Sequence, residues 1–280
     1  MKVTFWGTRG SIPAPGPGTV RVGGNTTCLE VSTENGVRIV VDAGTGIRAL
    51  GLALAQDSEP DPVTLLMTHS HWDHLAGFIF FKPAYDSANR ISVYGNKMAL
   101  EVLRRDIFES HDNRYFPVNM NNFHARIEFF DELPNPLTVG DVSIRAISLN
   151  HPGNGYAFRF TRHGKSFAFI TDNEIGMRYD GGNSPAELLE FCHGLDVLIH
   201  DAQYLTTEID AHRGWGHSTY AEVLDLAYAA AVPHVYLTHH DPERDDAGCD
   251  TLLAQACEYI AARKLNVTCE LAIEGASFTV

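Results

Sequence analysis

Four side chains of the kinds that bind transition metals lie within six residues, and they constrain this chain more than any other feature. The segment reads His69-Ser70-His71-Trp72-Asp73-His74 and closely follows the apolar run Thr64-Leu65-Leu66-Met67. A short buried strand that stops here delivers the segment to the edge of a sheet. Because residues two apart in extended backbone face the same side, His69 and His71 are expected to face one ion. Imidazole and carboxylate ligands without a thiolate suit zinc, manganese or iron.

A turn after His71 directs the next two ligand-type side chains elsewhere. Asp73 and His74 are expected to begin the next helix, with Asp73 as its N-cap. Such a turn aims both side chains at a second ion beside the first. The segment therefore predicts a site for two neighbouring ions.

Three further ligand candidates stand at the ends of apolar runs. His151 follows the run 144–149, Asp172 follows 167–171, and His239 follows 235–238. Open sheets tend to place their sites at the carboxyl ends of strands. The predicted ligand sets are His69, His71 and His151 for one ion and Asp73, His74 and His239 for the other, with Asp172 bridging.

The pattern of apolar runs indicates an α/β (α+β) fold in which both halves of the chain form a sheet. Strands are predicted at the N-terminus and at 28–32, 37–41, 64–67, 91–94, 142–149, 156–160, 167–170, 197–199 and 235–237. Helices are predicted at 47–55, 98–108, 185–192, 219–231 and 250–264. Two sheets packed face to face with helices outside would satisfy both halves. We expect one domain, 1–280, made of two similar β-α lobes.

Composition and charge narrow the function classes. The 280 residues are 44% hydrophobic, enough for a sizeable core, yet no stretch approaches the ~18 apolar residues of a membrane span. The 35 acidic against 21 basic residues give a net charge of −14, which disfavours long nucleic acids and favours a small substrate. The N-terminus lacks the apolar core of a signal peptide, and the five cysteines, never arranged as C-x-x-C, are expected to be buried and reduced. We therefore expect a cytoplasmic protein.

The hexapeptide resembles the H-x-H-x-D-H signature of the metallo-β-lactamase superfamily, whose fold is a four-layer αββα sandwich. The order of hexapeptide, His151, Asp172 and His239 matches that superfamily over nearly the whole chain. Within it, the chain most resembles the phosphodiesterase branch, which includes tRNase Z and bacterial cyclic-phosphate phosphodiesterases. Gly-Trp-Gly-His-Ser-Thr at 214–219 is similar to the G-H-S-T segment of that branch, and Leu-Ile-His-Asp-Ala at 198–202 to its apolar strand ending in His plus an acid.

The resemblance implies that His217 contacts the scissile phosphate and assists the leaving oxygen. The local sequence agrees, because a histidine ahead of a Ser218-Thr219 helix cap lies at a natural anion site. Asp201 is expected to orient a ligand or catalytic histidine by a hydrogen bond. Asp42, which precedes Ala-Gly-Thr-Gly, is expected to fix that turn or support the metal loop.

Three polar residues in or near the glycine-rich N-terminal loops are candidates for substrate contacts. Arg9, Arg21 and Asn25 would help to bind a substrate phosphate or ribose, with solvent-facing side chains as the alternative.

Together these expectations predict an enzyme that hydrolyses a small phosphodiester, with a cyclic nucleotide or other cyclic phosphate as the leading substrate. Two divalent ions, zinc before manganese or iron, would share Asp172 and hold a bridging hydroxide as nucleophile at neutral pH. Asp73 would bind one ion and orient the hydroxide, while His217 would donate toward the departing oxygen. A homodimer is expected, because soluble enzymes and this branch commonly dimerise.

Four alternatives stay open at this point. The first is tRNA 3′ processing, but tRNase Z grips tRNA with a basic, Gly-rich arm, whereas the interval 78–132 is aromatic-rich. That interval would form a substrate lid, a packing element or a dimer element. The second is thioester, lactone or lactam hydrolysis, against which the G-H-S-T segment argues. The third is a non-catalytic metal-bound sensor, which would lack a ligand, and none is missing here. The fourth is a redox role, against which His71 argues, because oxygen-reducing diiron relatives carry an acidic residue at that position.

Overall fold

The computed structural model describes residues 1–56, 62–108 and 122–280. Within these ranges the chain forms fourteen strands in two sheets. The strands are β1 (Lys2–Gly7), β2 (Cys28–Ser32), β3 (Arg38–Val41), β4 (Val63–Met67), β5 (Arg90–Gly95), β6 (Arg126–Phe129), β7 (Leu137–Val139), β8 (Val142–Ser148), β9 (Tyr156–Arg162), β10 (Lys165–Ile170), β11 (Val197–Asp201), β12 (His234–Thr238), β13 (Thr268–Leu271) and β14 (Ser277–Thr279).

Helices connect the strands on the outside of both sheets. The α-helices are α1 (Ile47–Leu54), α2 (Trp72–Leu75), α3 (Lys97–Val102), α4 (Pro185–Cys192), α5 (Tyr220–Ala229) and α6 (Asp246–Arg263). Short 3-10 helices span Phe78–Phe80, Lys82–Tyr85 and Ile209–Ala211, and a π-helical stretch spans Leu103–Phe108. No helix among the described residues is both long and apolar enough to cross a bilayer.

The strand order brings many carboxyl ends to one edge. The first sheet runs β14-β1-β2-β3-β4-β5-β6, and β3 to β6 are parallel. The second sheet runs β13-β12-β11-β10-β9-β8-β7, and β10 to β13 are parallel. In such sheets the loops that follow parallel strands gather at the same edge. The segments after β3, β4, β8, β10, β11 and β12 carry Asp42, the seven ligand candidates and His217, and Asp201 is the last residue of β11.

Apolar side chains divide into three clusters that define four layers. One cluster lies between the sheets, and the other two lie between each sheet and its own helices. Strand β4 shows how one strand serves both sides, because Leu66 faces the other sheet while Leu65 and Met67 face the helices. Between the sheets, the rings of Phe160 and Phe167 stack at 4.7 Å. The predicted αββα sandwich is confirmed.

Most predicted elements are confirmed, and the differences have simple causes. Helix α4 has the predicted bounds, whereas the helix predicted over 98–108 is α-helical only to Val102 and continues as a π-helix. The four strands that the sequence reading missed, β6, β7, β13 and β14, are the four edges of the two sheets. Edge strands are short and pair on one side only, so they carry weak apolar patterns. Cys257 is exposed, contrary to expectation, while Cys28, Cys192 and Cys249 are buried.

A charged cluster joins the two sheets away from the candidate site. The Arg162 guanidinium, at the end of β9, lies 2.7 Å from the Glu34 carboxylate in the β2–β3 turn and 2.8 Å from Asp141. The hydrogen bond from Arg162 lowers the pKa of Glu34 to about 2. Because the pKa falls on folding, this contact stabilises the fold above the unfolded pKa of about 4.3 and is lost as pH falls toward 2.

We expect Glu34→Gln to lower the melting temperature at pH 7, because the variant lacks the charged partner of Arg162. The difference from the parent protein should shrink between about pH 4.3 and 2 as the parent carboxylate becomes protonated. Differential scanning calorimetry across this range measures it. The matched control is Glu101→Gln, in an exposed pair with Lys97 at 3.9 Å. A difference that is absent at pH 7, or constant down to pH 2, would contradict this account.

Candidate metal centre

The hexapeptide bends immediately after β4. Residue His71 has extended backbone and is the N-cap of α2, without a side-chain capping bond. The helix begins at Trp72, so Asp73 lies in its first turn, and the prediction of Asp73 as the N-cap is wrong. The earlier start frees the Asp73 carboxylate from capping and lets it face the cluster described below.

Three residues of the site turn the chain sharply at strand ends through left-handed backbone. Asp42 after β3, Asp172 after β10 and His239 after β12 have φ values of 62°, 51° and 59°. This conformation costs about 1–2 kcal/mol for a residue other than glycine. Such cost persists where the surrounding structure fixes the residue, and functional sites are where it collects.

Seven buried or rim side chains come together as two adjacent groups that share one carboxylate. The first group consists of His69, His71, His151 and Asp172, and the second of Asp73, His74, Asp172 and His239. Within each group the ligand-type atoms all lie within 4.8 Å of one another. The structure therefore places all seven predicted ligand candidates in the predicted grouping.

The two oxygens of Asp172 face different groups. Oδ2 lies 3.7 Å from His69 Nε2 and 3.8 Å from His151 Nε2. Oδ1 lies 3.2 Å from the Nε2 atoms of both His74 and His239. This is the arrangement expected of a carboxylate that bridges two cations.

The second carboxylate completes the second group. Oδ2 of Asp73 lies 3.2 Å from Nε2 of His74 and 3.2 Å from Nε2 of His239. It also accepts a 2.8 Å hydrogen bond from the Ser11 backbone N–H, which fixes its orientation from the N-terminal loop.

The donor set fits divalent cations. Nε2 of His69 and Nε2 of His74 are buried, face the carboxylates and have no hydrogen-bond partner among the residues that the structure describes. A buried polar atom without a partner costs about 1–3 kcal/mol, and two buried carboxylates close together need positive charge nearby. Two ions of zinc type would satisfy these atoms with nitrogen and oxygen ligands.

Hydrogen bonds behind the imidazoles set which nitrogen faces the cluster. His74 Nδ1 donates to Asp42 at 2.7 Å, and His151 Nδ1 donates to the Gly216 carbonyl at 3.1 Å. His239 Nδ1 donates to Gln203 Oε1 at 2.9 Å. In each case Nε2 is left for a metal, which is how outer contacts orient metal-binding histidines. Asp42 thus gives the predicted support, whereas the sequence reading missed Gln203.

Asp42 also ties β3 to the hexapeptide. Its carboxylate accepts hydrogen bonds from the N–H and the hydroxyl of Thr68 at 2.8 and 2.7 Å. Burial raises the pKa of Asp42, although His74 and Thr68 act against this shift.

Burial and neighbouring charges shift the pKa values of histidines in the two groups in different directions. Burial lowers the pKa of His69 well below its usual range and that of His151 to about 4, so both stay neutral and able to bind metal. Burial would also lower the pKa of His74, but the nearby carboxylates of Asp73 and Asp172 outweigh it and raise this pKa well above the usual value. His74 therefore stands where a cation is electrostatically favoured.

His217 lies against both groups. Its ring centroid is 4.9 Å from that of His239 and 5.4 Å from that of His151. Burial would lower the pKa of His217, but the Asp201 carboxylate, 3.7 Å from Nδ1, outweighs it and raises this pKa. Asp201 also accepts backbone hydrogen bonds from Ser218 at 3.0 Å and Asn173 at 2.7 Å. At 3.7 Å, the contact of Asp201 with His217 is longer than the hydrogen bond expected from the sequence.

The predicted helix cap after His217 is confirmed. Thr219 caps α5, and its hydroxyl and the Glu222 side chain form a reciprocal capping box. This box fixes the start of the helix beside His217.

Glu174 holds the segment that carries His217, and the sequence reading missed it. Its fully buried carboxylate accepts the Gly214 N–H at 3.1 Å, the Gly216 N–H at 2.9 Å and the Tyr179 hydroxyl at 2.8 Å. A carboxylate two residues after Asp172 is the only sequence signal for it.

The prediction that Arg9 contacts substrate is wrong. This side chain is fully buried. Its guanidinium donates to the Gly23 carbonyl at 2.7 Å and to the carbonyls of Asp241 and Arg244 at 2.9 and 2.8 Å. Arg9 therefore ties the N-terminal loop to the segment that follows His239.

Arg21 and Asn25 have acidic partners in the structure. Arg21 Nη2 lies 2.6 Å from Asp250 on α6, and Asn25 Nδ2 donates to Glu274 at 2.6 Å. A substrate contact by either residue stays a prediction. Of the aromatic-rich interval 78–132, residues 109–121 lie outside the described residues.

Two facing sheets with paired histidine and aspartate groups at one edge define a metal-dependent hydrolase of the metallo-β-lactamase fold. Residues 37–240 match the family model of the beta-lactamase superfamily domain, and the chain belongs to this superfamily.

Known proteins of similar length resemble this chain in sequence or in fold. A ribonuclease Z of Shouchella clausii is 24% identical over 292 residues, which cover 85% of this chain and 86% of that protein. The metallo-beta-lactamase fold protein YhfI from Bacillus subtilis has a TM-score of 0.71 at 18% identity, covering 99% of this chain and 98% of that one. A diphosphatase from the PhnP family has a TM-score of 0.70 at 18% identity, covering 100% and 97%.

We expect Gly216→Ala to weaken metal binding at least about tenfold, since contacts that orient a metal-binding histidine have effects of this size. A Cβ atom at Gly216 would lie 1.9 Å from His151 Nδ1, so the imidazole must move. Metal content after dialysis against a graded chelator series measures the effect.

The matched control is Gly214→Ala. Its φ of +89° nearly equals the +88° of Gly216, but a Cβ there meets no described residue within 4 Å. The control carries the same backbone cost without the clash and should keep its metal. Equal loss in both variants would show that backbone strain alone is responsible.

We expect Glu174→Gln to destabilise the fold by about 1–3 kcal/mol, because its amide would face backbone donors. We also expect the catalytic activity to fall, because the segment that carries His217 loses the carboxylate that accepts the Gly214 and Gly216 N–H groups. Tyr179→Phe removes one donor and leaves the carboxylate in place, so its loss should be smaller. Urea unfolding at fixed metal concentration measures stability. A Glu174→Gln variant with parental stability and turnover would contradict this role.

Proposed function

We propose that this protein hydrolyses a small phosphodiester, with a cyclic nucleotide or other cyclic phosphate as the substrate and two divalent ions, zinc foremost, as cofactors. The observation that carries the proposal is a buried histidine, His217, placed directly beside the paired groups. Hydrolysis of a phosphodiester needs charge stabilisation at the phosphoryl oxygens and a proton for the leaving oxygen. The paired groups and His217 offer both.

Each ion has a set of residues suited to hold it. His69, His71 and His151 would hold one ion and Asp73, His74 and His239 the other, with Asp172 between them. Paired divalent ions supply a nucleophile at neutral pH, by lowering the pKa of water from ~15.7 to near 7, and stabilise both oxygens of an in-line displacement.

The chain itself would supply the proton. With Nδ1 of His217 facing Asp201, Nε2 is the nitrogen left to donate to the departing oxygen. The Asp201 carboxylate favours the protonated imidazole, which is the form that a general acid needs. Asp73, fixed by the Ser11 N–H, would hold its ion and orient the attacking group.

The relatives support phosphorus chemistry and keep one alternative in view. The first named relative is a ribonuclease, and one structural neighbour is a diphosphatase. Processing of RNA 3′ ends is therefore the second candidate, favoured by the match to ribonuclease Z over 85% of this chain. The net charge of −14 disfavours a long polyanion and places the small substrate first.

Hydrolysis of 3′,5′-cyclic AMP by zinc- or manganese-loaded protein tests the proposal. We expect turnover in the parent, none in Asp73→Ala, and a fall of about 10²- to 10⁴-fold in His217→Ala with both ions retained. His193→Ala, at the exposed C-cap of α4, is the matched control and should keep full activity.

Parallel assays separate the alternatives. The same proteins are offered 2′,3′-cyclic nucleotides, a precursor tRNA, and a thioester and a lactone. Cleavage of the precursor alone would favour RNA processing. Inactivity of the metal-loaded protein toward every phosphodiester would overturn the proposal.

A further inference from the structure

One side chain of the paired groups, that of His71, is exposed to solvent. Of the seven side chains in the two groups, His71 is exposed and the other six are buried. His71 Nδ1 lies 3.0 Å from His151 Nε2, and His151 Nδ1 lies 3.1 Å from the Gly216 carbonyl. The opening of the site is therefore bordered by the chain around His71 and by the chain around Gly216.

A tryptophan stands at each of these borders. Trp72 follows His71 directly and is 70% exposed, and Trp215 precedes Gly216 directly and is 60% exposed. They are two of the three tryptophans of the chain. The third, Trp6, is half-buried and donates to Glu30, as an ordinary structural indole does.

Trp215 is anchored through its backbone and one ring contact although its side chain is exposed. Its backbone N–H donates to the His212 carbonyl at 3.1 Å. Its indole ring contacts the His212 ring edge-on, with 4.9 Å between the ring centroids. Both neighbours, Gly214 and Gly216, donate their N–H groups to the buried Glu174. A large apolar ring anchored in this way loses less conformational freedom when it binds a ligand.

A glycine lies at the surface near His71. Gly153 is exposed with a φ of +86°, and a Cβ built on it would lie 3.9 Å from His71 Nε2. The left-handed backbone explains the glycine, and without a side chain it adds no bulk beside His71.

We propose that Trp72 and Trp215 form a stacking subsite for the nucleobase of the substrate; this rests on the proposed phosphodiesterase function. Aromatic side chains bind bases through the π-faces that every base has. His71, next to Trp72, is exposed, and Arg213, two residues before Trp215, is partly exposed. Polar neighbours of this kind suit a planar ligand with polar edges better than an apolar protein surface. The subsite would select nucleotides over phosphodiesters without a base.

Calorimetric titration of metal-loaded protein tests the subsite without depending on turnover. The probes are 5′-AMP and ribose 5-phosphate, which carry the same sugar and phosphate and differ by the base. We expect AMP to bind more tightly to the parent. Trp215→Ala should weaken AMP binding about five- to 100-fold, as expected for loss of one stacking contact, and leave ribose 5-phosphate unaffected.

Three further variants test whether an aromatic ring at these positions accounts for the AMP affinity. Trp72→Ala should act in the same direction, and Trp215→Phe should restore most of the AMP affinity because a ring remains. Tyr228→Ala, an exposed aromatic at the far end of α5, is the matched control and should change nothing.

The outcomes separate the subsite from the proposed function. AMP binding that depends on Trp215, without hydrolysis of any phosphodiester, would support the subsite and overturn the function. Hydrolysis of cyclic AMP with equal binding of AMP and ribose 5-phosphate in parent and Trp215→Ala would overturn the subsite alone. A Trp215→Ala variant that changes from dimer to monomer with unchanged AMP affinity would also overturn it, because the indole would then cover an interface between two copies.

Discussion

The carboxylate of Asp172 is the contact on which the arrangement of the site depends. One oxygen faces His69 and His151, and the other faces His74 and His239. These histidines come from segments after β4, β8 and β12, which belong to both sheets. A change in the packing of one sheet on the other would therefore move the histidines after β4 away from those after β8 and β12.

The interior of the sandwich supports this geometry. Two buried carboxylates and a ring of imidazoles are unfavourable on their own, as is left-handed backbone at Asp42, Asp172 and His239. The apolar clusters between the layers hold the strand ends that carry these residues. Outer hydrogen bonds, which the imidazoles donate to Asp42, Gln203 and the Gly216 carbonyl, then fix the rings. The protein itself thus fixes the orientation of the atoms that face the two groups, as preorganised catalysis requires.

Local patterns allowed the αββα fold and the grouping of the seven ligand candidates to be predicted. An apolar run followed by histidine or aspartate marks a strand end, and strand ends meet at one edge of a sheet. The missed features depend on distant parts of the chain. Arg9 looks like a surface residue until Gly23, Asp241 and Arg244 enclose it, and Glu174 has no role until Gly214 and Gly216 fold onto it. Edge strands are missed for another reason, because a strand with one neighbour needs little apolar character.

The central claim is that Asp172 bridges two cations, and a crystal structure of the zinc-loaded protein with anomalous data at the zinc edge tests it most directly. The account predicts two anomalous peaks about 3.5–4 Å apart, with one Asp172 oxygen beside each. The first should be surrounded by His69, His71 and His151, and the second by Asp73, His74 and His239. A single peak, or two peaks without Asp172 between them, would contradict the account.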